Sequence, residues 1–145
     1  MKDDTSQPTP SGLPHPDSTK ARELETSLAQ FTGTTGYYRY PIGPMLLTDG
    51  VKYLADHASC YWLLDIIGSY QADLLTHPDL RLREMQFWTL SVKADHMAVV
   101  VCRADSDAPA VITQELTWTD FCLSEASIWV VYDGQHTVAL LPSEY

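Results

Sequence analysis

The spacing of apolar residues changes twice along this chain of 145 residues, and each change marks a structural boundary. Between residues 18 and 33, Leu24, Leu28 and Phe31 recur at i, i+4 and i+7, the period of one helical face. Asp17, Ser18 or Thr19 can cap that helix at its start, and Gly33 can stop it in a left-handed conformation. The run Tyr37-Tyr38-Arg39-Tyr40, the turn Pro41-Ile42-Gly43-Pro44 and the run Met45-Leu46-Leu47 then read as two short strands around a tight turn. Proline cannot donate to a ladder, so this hairpin belongs at a sheet edge.

Helical spacing returns over residues 48–75. Thr48 or Asp49 can accept from the orphan amides of the first turn. Val51, Leu54, Ala55 and Ala58 form one apolar face, and Trp62, Leu63, Ile66, Ile67, Tyr70 and Leu74 form a second. The two faces are out of register near Ser59, which predicts a bend or a junction of two helices. Gly68 weakens the second half by about 1 kcal/mol relative to alanine, and His77-Pro78 marks the exit.

From Glu84 the period becomes two. Trp88, Leu90 and Val92 alternate with Thr89, Ser91 and Lys93. The unbroken apolar run Met97–Cys102 predicts a central strand buried on both faces. In the next strand Ile112, Gln114, Leu116 and Trp118 share a face, and most of the strand tryptophans are expected in the core. Ser127–Tyr132 and Gln135–Leu141 flank Asp133-Gly134, a strong hairpin signal. The expected fold class is α+β: an antiparallel β-meander of four to five strands packed on a central helix, with an N-terminal helix and a short hairpin. Residues 18–145 form its single domain. Residues 1–17 hold four of the nine prolines and are expected to be a disordered tail.

Charge sharpens the picture. The chain carries 19 Asp and Glu against nine Lys and Arg, a formal charge of −10. From Asp95 onward there are eight carboxylates and one cation, Arg103. Such a field repels nucleic acid and anionic lipid and attracts basic surfaces. The sequence MKDDTSQPTPSG lacks a secretory apolar core, and no run is long enough to span a membrane, so a cytoplasmic location is expected. Cys60, Cys102 and Cys122 form no C-x-x-C pair and read as reduced, mostly buried residues. No cofactor or metal site is expected, because no zinc or calcium ligand spacing is present. Asp105-Ser106-Asp107 is a polar turn, and Gly33-Thr34-Thr35-Gly36 a linker.

The side chains with reactive chemistry are few. His57, Tyr61 and Asp65 fall at i, i+4 and i+8, with Cys60 between them. A cysteine beside a histidine can become a thiolate nucleophile. These three, His57, Cys60 and Asp65, are the weak catalytic candidates, and a polar helix edge with Cys60 packed inward is the preferred reading. Tyr38 and Tyr40, with Arg39, are candidates for an exposed aromatic anchor. Asp105, Asp107, Glu115, Asp120 and Glu125 are candidates for one acidic binding face.

Three stretches together look familiar: FTGTTGYYRYPIGPMLLTDGVKYLADHASCYWLLDIIGSYQ, WTLSVKADHMAVVVCRADSDAPAVITQELTWTDFCL and the ending LLPSEY. They resemble domain-of-unknown-function family 6876 over residues 31–145, and TDGVKYLADHA, YWLLDIIGSYQ and LPSEY are the most specific pieces. The resemblance implies small bacterial proteins, often from plasmids or phages, and no activity, cofactor or catalytic residue. The expected function is therefore a non-enzymatic acidic binding protein, an accessory or anti-defence inhibitor that engages a protein partner with a basic surface. It would bind neither nucleic acid directly nor membrane. The alternatives are a small enzyme using His57, Cys60 and Asp65, and a structural homodimer that buries Trp129 or the YYRY edge.

Overall fold

The computed structural model describes residues 16–145, with side chains from Thr19 onward. The expected tail over residues 1–17 lies outside that range except for Pro16 and Asp17, which open helix α1 (Pro16–Leu28). After it come β1 (Tyr37–Tyr40), β2 (Met45–Thr48), α2 (Asp49–Ala58), α3 (Tyr61–Ser69) and α4 (Gln71–Leu75). The strands β3 (Met85–Val92), β4 (Ala98–Arg103), β5 (Ala110–Leu116), β6 (Glu125–Tyr132) and β7 (Thr137–Leu140) complete the fold, with short 3-10 turns at Leu80–Arg83 and Pro142–Glu144.

The fold is α+β, but its sheet is larger and less sequential than a meander of four to five strands. Among the described residues, seven strands form one sheet in the order β1-β2-β7-β6-β3-β4-β5. Strand β6 pairs with β3 rather than with β5. Strand β2 pairs with β7 in parallel, Leu46 opposite Val138, which joins the early hairpin to the later strands. Alternation along a strand encodes the face that is buried, not the neighbour that lies alongside. The hairpin does occupy an edge, with Tyr37–Tyr40 outermost.

Three local expectations need correction. Strand β4 is not buried on both faces: Ala98, Val100 and Cys102 point into the core, while Val99 and Val101 are partly exposed. The outer face also carries Phe87 and Trp129, so an apolar run here does not mean two covered faces. Helix α1 ends at Leu28, before Gly33, in a tightened turn where Gln30 N donates to Ser27 O at 3.1 Å and Phe31 N to Leu28 O at 3.2 Å. Trp118 lies beyond the end of β5 and is 63 % exposed, so it is no core residue.

The register shift near Ser59 is a break. Ser59 adopts φ 53°, ψ 45°, a left-handed cap, and both its amide and that of Cys60 bond back to Ala55 O. Helices α2 and α3 thus meet at an angle while both keep their apolar sides inward. Val51, Leu54, Leu64, Ile67 and Leu74 pack with Leu47, Trp88, Leu90, Val100 and Val130 in the core. Full burial of each such side chain stabilises by about 1.5–3 kcal/mol. Within this core Gln71 and Gln86 exchange amide hydrogen bonds at 2.9 and 3.0 Å, and Trp88 Nε1 donates to Gln86 Oε1 at 2.9 Å. The remaining amide protons reach the carbonyls of Ile67 and Leu82, so α4 is tied to β3 with its buried polar groups satisfied.

Two glycines allow close approaches that lock the layers together. A Cβ at Gly68 would lie 2.5 Å from the carbonyl oxygen of Ile42, so the β1–β2 turn rests directly on α3. A Cβ at Gly50 would lie 2.6 Å from Glu144 Oε1. The Glu144 carboxylate accepts from Thr48 Oγ1 at 2.6 Å, Gly50 N at 3.0 Å and Leu141 N at 3.0 Å, and so fastens the 142–144 turn to the start of α2.

Candidate functional site

The structure separates the catalytic candidates. Cys60 is 1 % exposed, its Sγ donates to Leu54 O at 3.7 Å, and burial pushes its thiol up to about 12. His57 lies in the last turn of α2, stacked on Tyr53 with ring centroids 3.7 Å apart, its Nδ1 3.0 Å from Tyr53 O. Asp65 accepts a hydrogen bond from the Tyr40 hydroxyl. Among the described residues, no hydrogen bond joins any two of the three. The break at Ser59 turns α3 away from α2 and removes the i, i+4, i+8 alignment.

The tyrosine–arginine segment is divided in a different way. Strand alternation sends Tyr38 and Tyr40 to the helix side and Arg39 to the opposite face. Lys52 Nζ lies 5.7 Å from the Tyr38 ring and 5.9 Å from the Tyr61 ring, and it pairs with Asp56 at 2.6 Å. Tyr61 donates to Asp56, and Tyr40 stacks on Tyr61 at 6.0 Å. Burial, then the bond to Asp65, raises the Tyr40 hydroxyl well above its ordinary range. Only Tyr38 of this pair presents an exposed ring. Trp129, named for the homodimer reading, lies on the outer sheet face, edge-on to Phe87 at 5.1 Å and Tyr145 at 5.6 Å.

The five candidate carboxylates fall into two groups instead of one face. Asp105 and Asp107 lie in the β4–β5 turn, where Arg81 Nη1 approaches Asp105 at 4.0 Å. Glu115 lies opposite Val99, near the other end of β5. Asp120 follows in the next loop, and Glu125 starts β6 at that same end, opposite Ser91. The β5 edge therefore has acid at both ends.

At the second end Asp120 borders an aromatic groove. Trp62, Ile66 and Asp65 of α3 face Leu116, Trp118 and Asp120 across a recess of about 400 Å3. The loop that carries Trp118 is anchored: Thr119 N donates to His96 O at 2.8 Å, His96 Nδ1 lies 3.2 Å from Thr119 O, and the His96 and Trp118 rings are 5.8 Å apart. Phe121 N donates to Thr119 Oγ1 at 3.1 Å. Two indoles and two carboxylates line this recess, side chains whose chemistry suits organic cations. Indole faces attract ammonium and guanidinium groups by about 0.5–2 kcal/mol, and a carboxylate can accept their hydrogen bonds.

Asp120 was legible as a candidate; Trp62, Trp118 and Asp65 in this role were not. The sequence offered no signal for Trp118, because Leu116-Thr117-Trp118-Thr119 continues the strand alternation and only the fold ends β5 at Leu116. Among the described residues, no helix is long and apolar enough to cross a membrane. A family model described as "Family of unknown function (DUF6876)" matches residues 22–145. No curated protein and no solved structure matches the chain.

Proposed function

This chain belongs to the DUF6876 family, and we propose that it is a non-enzymatic binding protein that takes a cationic side chain of a basic protein partner into the Trp62–Trp118 groove. The observation that carries this reading is Trp118, 63 % exposed, beside Trp62 and flanked by Asp65 and Asp120. Large exposed aromatics next to charge are typical anchors of protein interfaces. Glu115 and Glu125, at the same end of the sheet, extend the negative field and speed the approach of a basic surface. Asp105 and Asp107 add a second point of attraction at the far end of β5. A nucleic-acid-binding protein presents such a surface, and an accessory or anti-defence inhibitor from a mobile element is the specific form proposed.

Tryptophan fluorescence during titration with an oligo-arginine peptide tests the reading. The peptide should bind at about 0.05 M salt and weaken strongly at about 0.5 M, where exposed charges are screened within a few ångströms. Trp118→Ala and Asp120→Asn should each weaken binding, with unfolding temperatures unchanged. Binding that is indifferent to both substitutions, or absent at low salt, refutes it.

A further inference from the structure

We propose that a second recess, between the β1–β2 turn and the β6–β7 turn, binds a small organic anion, a carboxylate carried on an apolar body. Parallel pairing of β2 with β7 brings these two turns side by side at one end of the sheet. Leu75, at the end of α4, joins them to enclose about 610 Å3, within the range of about 300–1,000 Å3 usual for small-molecule sites. This recess lies on the β1–β2–β7 side of the sheet, away from the groove beside β5. It stands whether or not the basic-partner reading holds.

Three observations give the ligand its chemistry. The first is Thr137, which lines the recess and is only 7 % exposed. Among the described residues its hydroxyl has no hydrogen-bond partner, although buried polar groups are nearly always paired. A bound acceptor would satisfy it. The second is charge. Acids outnumber bases 19 to nine in the chain, yet Arg39 and His136 line this recess and no Asp or Glu does. Among the described residues Arg39 makes no ion pair. His136 is partly offset by Asp133, whose Oδ2 lies 3.8 Å from His136 Nδ1. Asp133 Oδ1 is in turn occupied by the amides of Gln135 and His136 at 2.8 and 2.6 Å. Arg39, which borders the recess from the sheet face opposite Tyr40, is therefore the principal cation among the lining residues, and arginine suits a carboxylate.

The third observation is the apolar remainder of the wall. Tyr40, Pro44, Met45 and Leu75 offer a surface that a bare inorganic anion would leave uncovered. Both turns are also braced by contacts. The β1–β2 turn rests on Gly68 of α3, and the Asp133 carboxylate braces the β6–β7 turn. Preorganised walls reduce the ordering cost of binding.

Amide chemical shifts of the 15N-labelled full chain, titrated with 4-phenylbutyrate, test the proposal. The amides of Leu46, Gln135 and Thr137 should shift together and saturate. The neutral 4-phenylbutyramide and inorganic phosphate should each bind at least about tenfold more weakly, since one lacks the charge-assisted bond and the other the apolar body. Arg39→Gln should weaken phenylbutyrate by a similar factor, and Thr137→Val by about fivefold, the loss expected for one hydrogen bond. Thr137→Ser, which keeps the hydroxyl, should retain binding and guards against a folding defect in the valine variant. If phenylbutyrate leaves these amides unmoved, if its amide or phosphate binds equally well, or if Arg39→Gln binds like the parent chain, the assignment is wrong.

Discussion

Replacing Gly68 with alanine separates a helix-propensity argument from a packing argument, because the two give opposite signs. On propensity alone Gly68→Ala in α3 should stabilise by about 1 kcal/mol. The structure places Ile42 O 2.5 Å, Ile42 C 2.8 Å and Ile42 Cγ2 2.9 Å from the new Cβ. Ordinary contact begins near 3.4 Å, so the turn must retreat by about 0.9 Å. The nearest atoms are backbone, and Pro41 and Pro44 stiffen the turn on both sides, so no flexible side-chain end can yield instead. Overpacking of this kind costs about 1–3 kcal/mol, and we expect a net loss of about 1–2 kcal/mol after the propensity gain. For a chain of this length that corresponds to a fall of roughly 3–8 °C in Tm. Urea and thermal unfolding measure it directly. Gly33→Ala is the internal control: nothing lies within 4 Å of its Cβ position and its φ is not positive. It should be neutral or stabilise by up to about 1 kcal/mol through the unfolded chain. A Gly68→Ala variant as stable as the parent, or more so, would refute the reasoning. Because the same turn walls the anion recess, the variant should also bind 4-phenylbutyrate more weakly.

Other predictions follow from the polar contacts. Glu144→Gln removes a charged acceptor shared by Thr48, Gly50 and Leu141; hydrogen bonds to charged groups contribute about 1.5–3 kcal/mol each, so denaturant unfolding should register a loss of at least about 2 kcal/mol. Gln71→Leu strands the buried Gln86 amide and should cost about 1–3 kcal/mol, whereas the double variant with Gln86→Leu should cost less than the sum of the two singles, as a double-mutant cycle will report. The Thr35 amide, then the Thr35 and Thr34 hydroxyls, hold the Asp49 carboxyl below its ordinary value. A depressed carboxyl contributes stability above about pH 4 that is lost as pH falls through the folded value, so Asp49→Asn should flatten the acid limb of a Tm–pH profile. Burial raises both Cys60 and Cys102 to about 12; thiol titration at pH 8 should find both unreactive until the chain unfolds.

Elements were legible where the deciding physics is local. The edge hairpin, the cap at Thr48, the junction near Ser59 and the Asp133-Gly134 turn all rest on a few adjacent residues. The Thr48 side chain does accept from Val51 N, at 3.4 Å. What stayed hidden depends on distant partners. Nothing near Tyr132 tells β6 to lie beside β3, and nothing near Leu46 announces a parallel neighbour 92 positions later, at Val138. Carboxylate counting found acidity but not its division between the two ends of β5, because that division is set by register. The stretches that carry the family resemblance also make sense only in three dimensions. TDGVKYLADHA supplies Thr48 and Gly50, and LPSEY supplies the Glu144 that fastens them. YWLLDIIGSYQ supplies the Gly68 on which the turn rests. Each of these stretches thus contributes a contact between elements distant in sequence.

The position of β7 has a consequence for biosynthesis. It sits between β2 and β6, and it is the last of the seven strands to leave the ribosome. Until then the nascent chain holds two half-built ribbons, each with an open hydrogen-bonding margin. Premature termination between residues 132 and 137 would leave both margins permanently unsealed. Such fragments should self-associate or be degraded, and a ribosome stalled there would present a different molecule from the finished one.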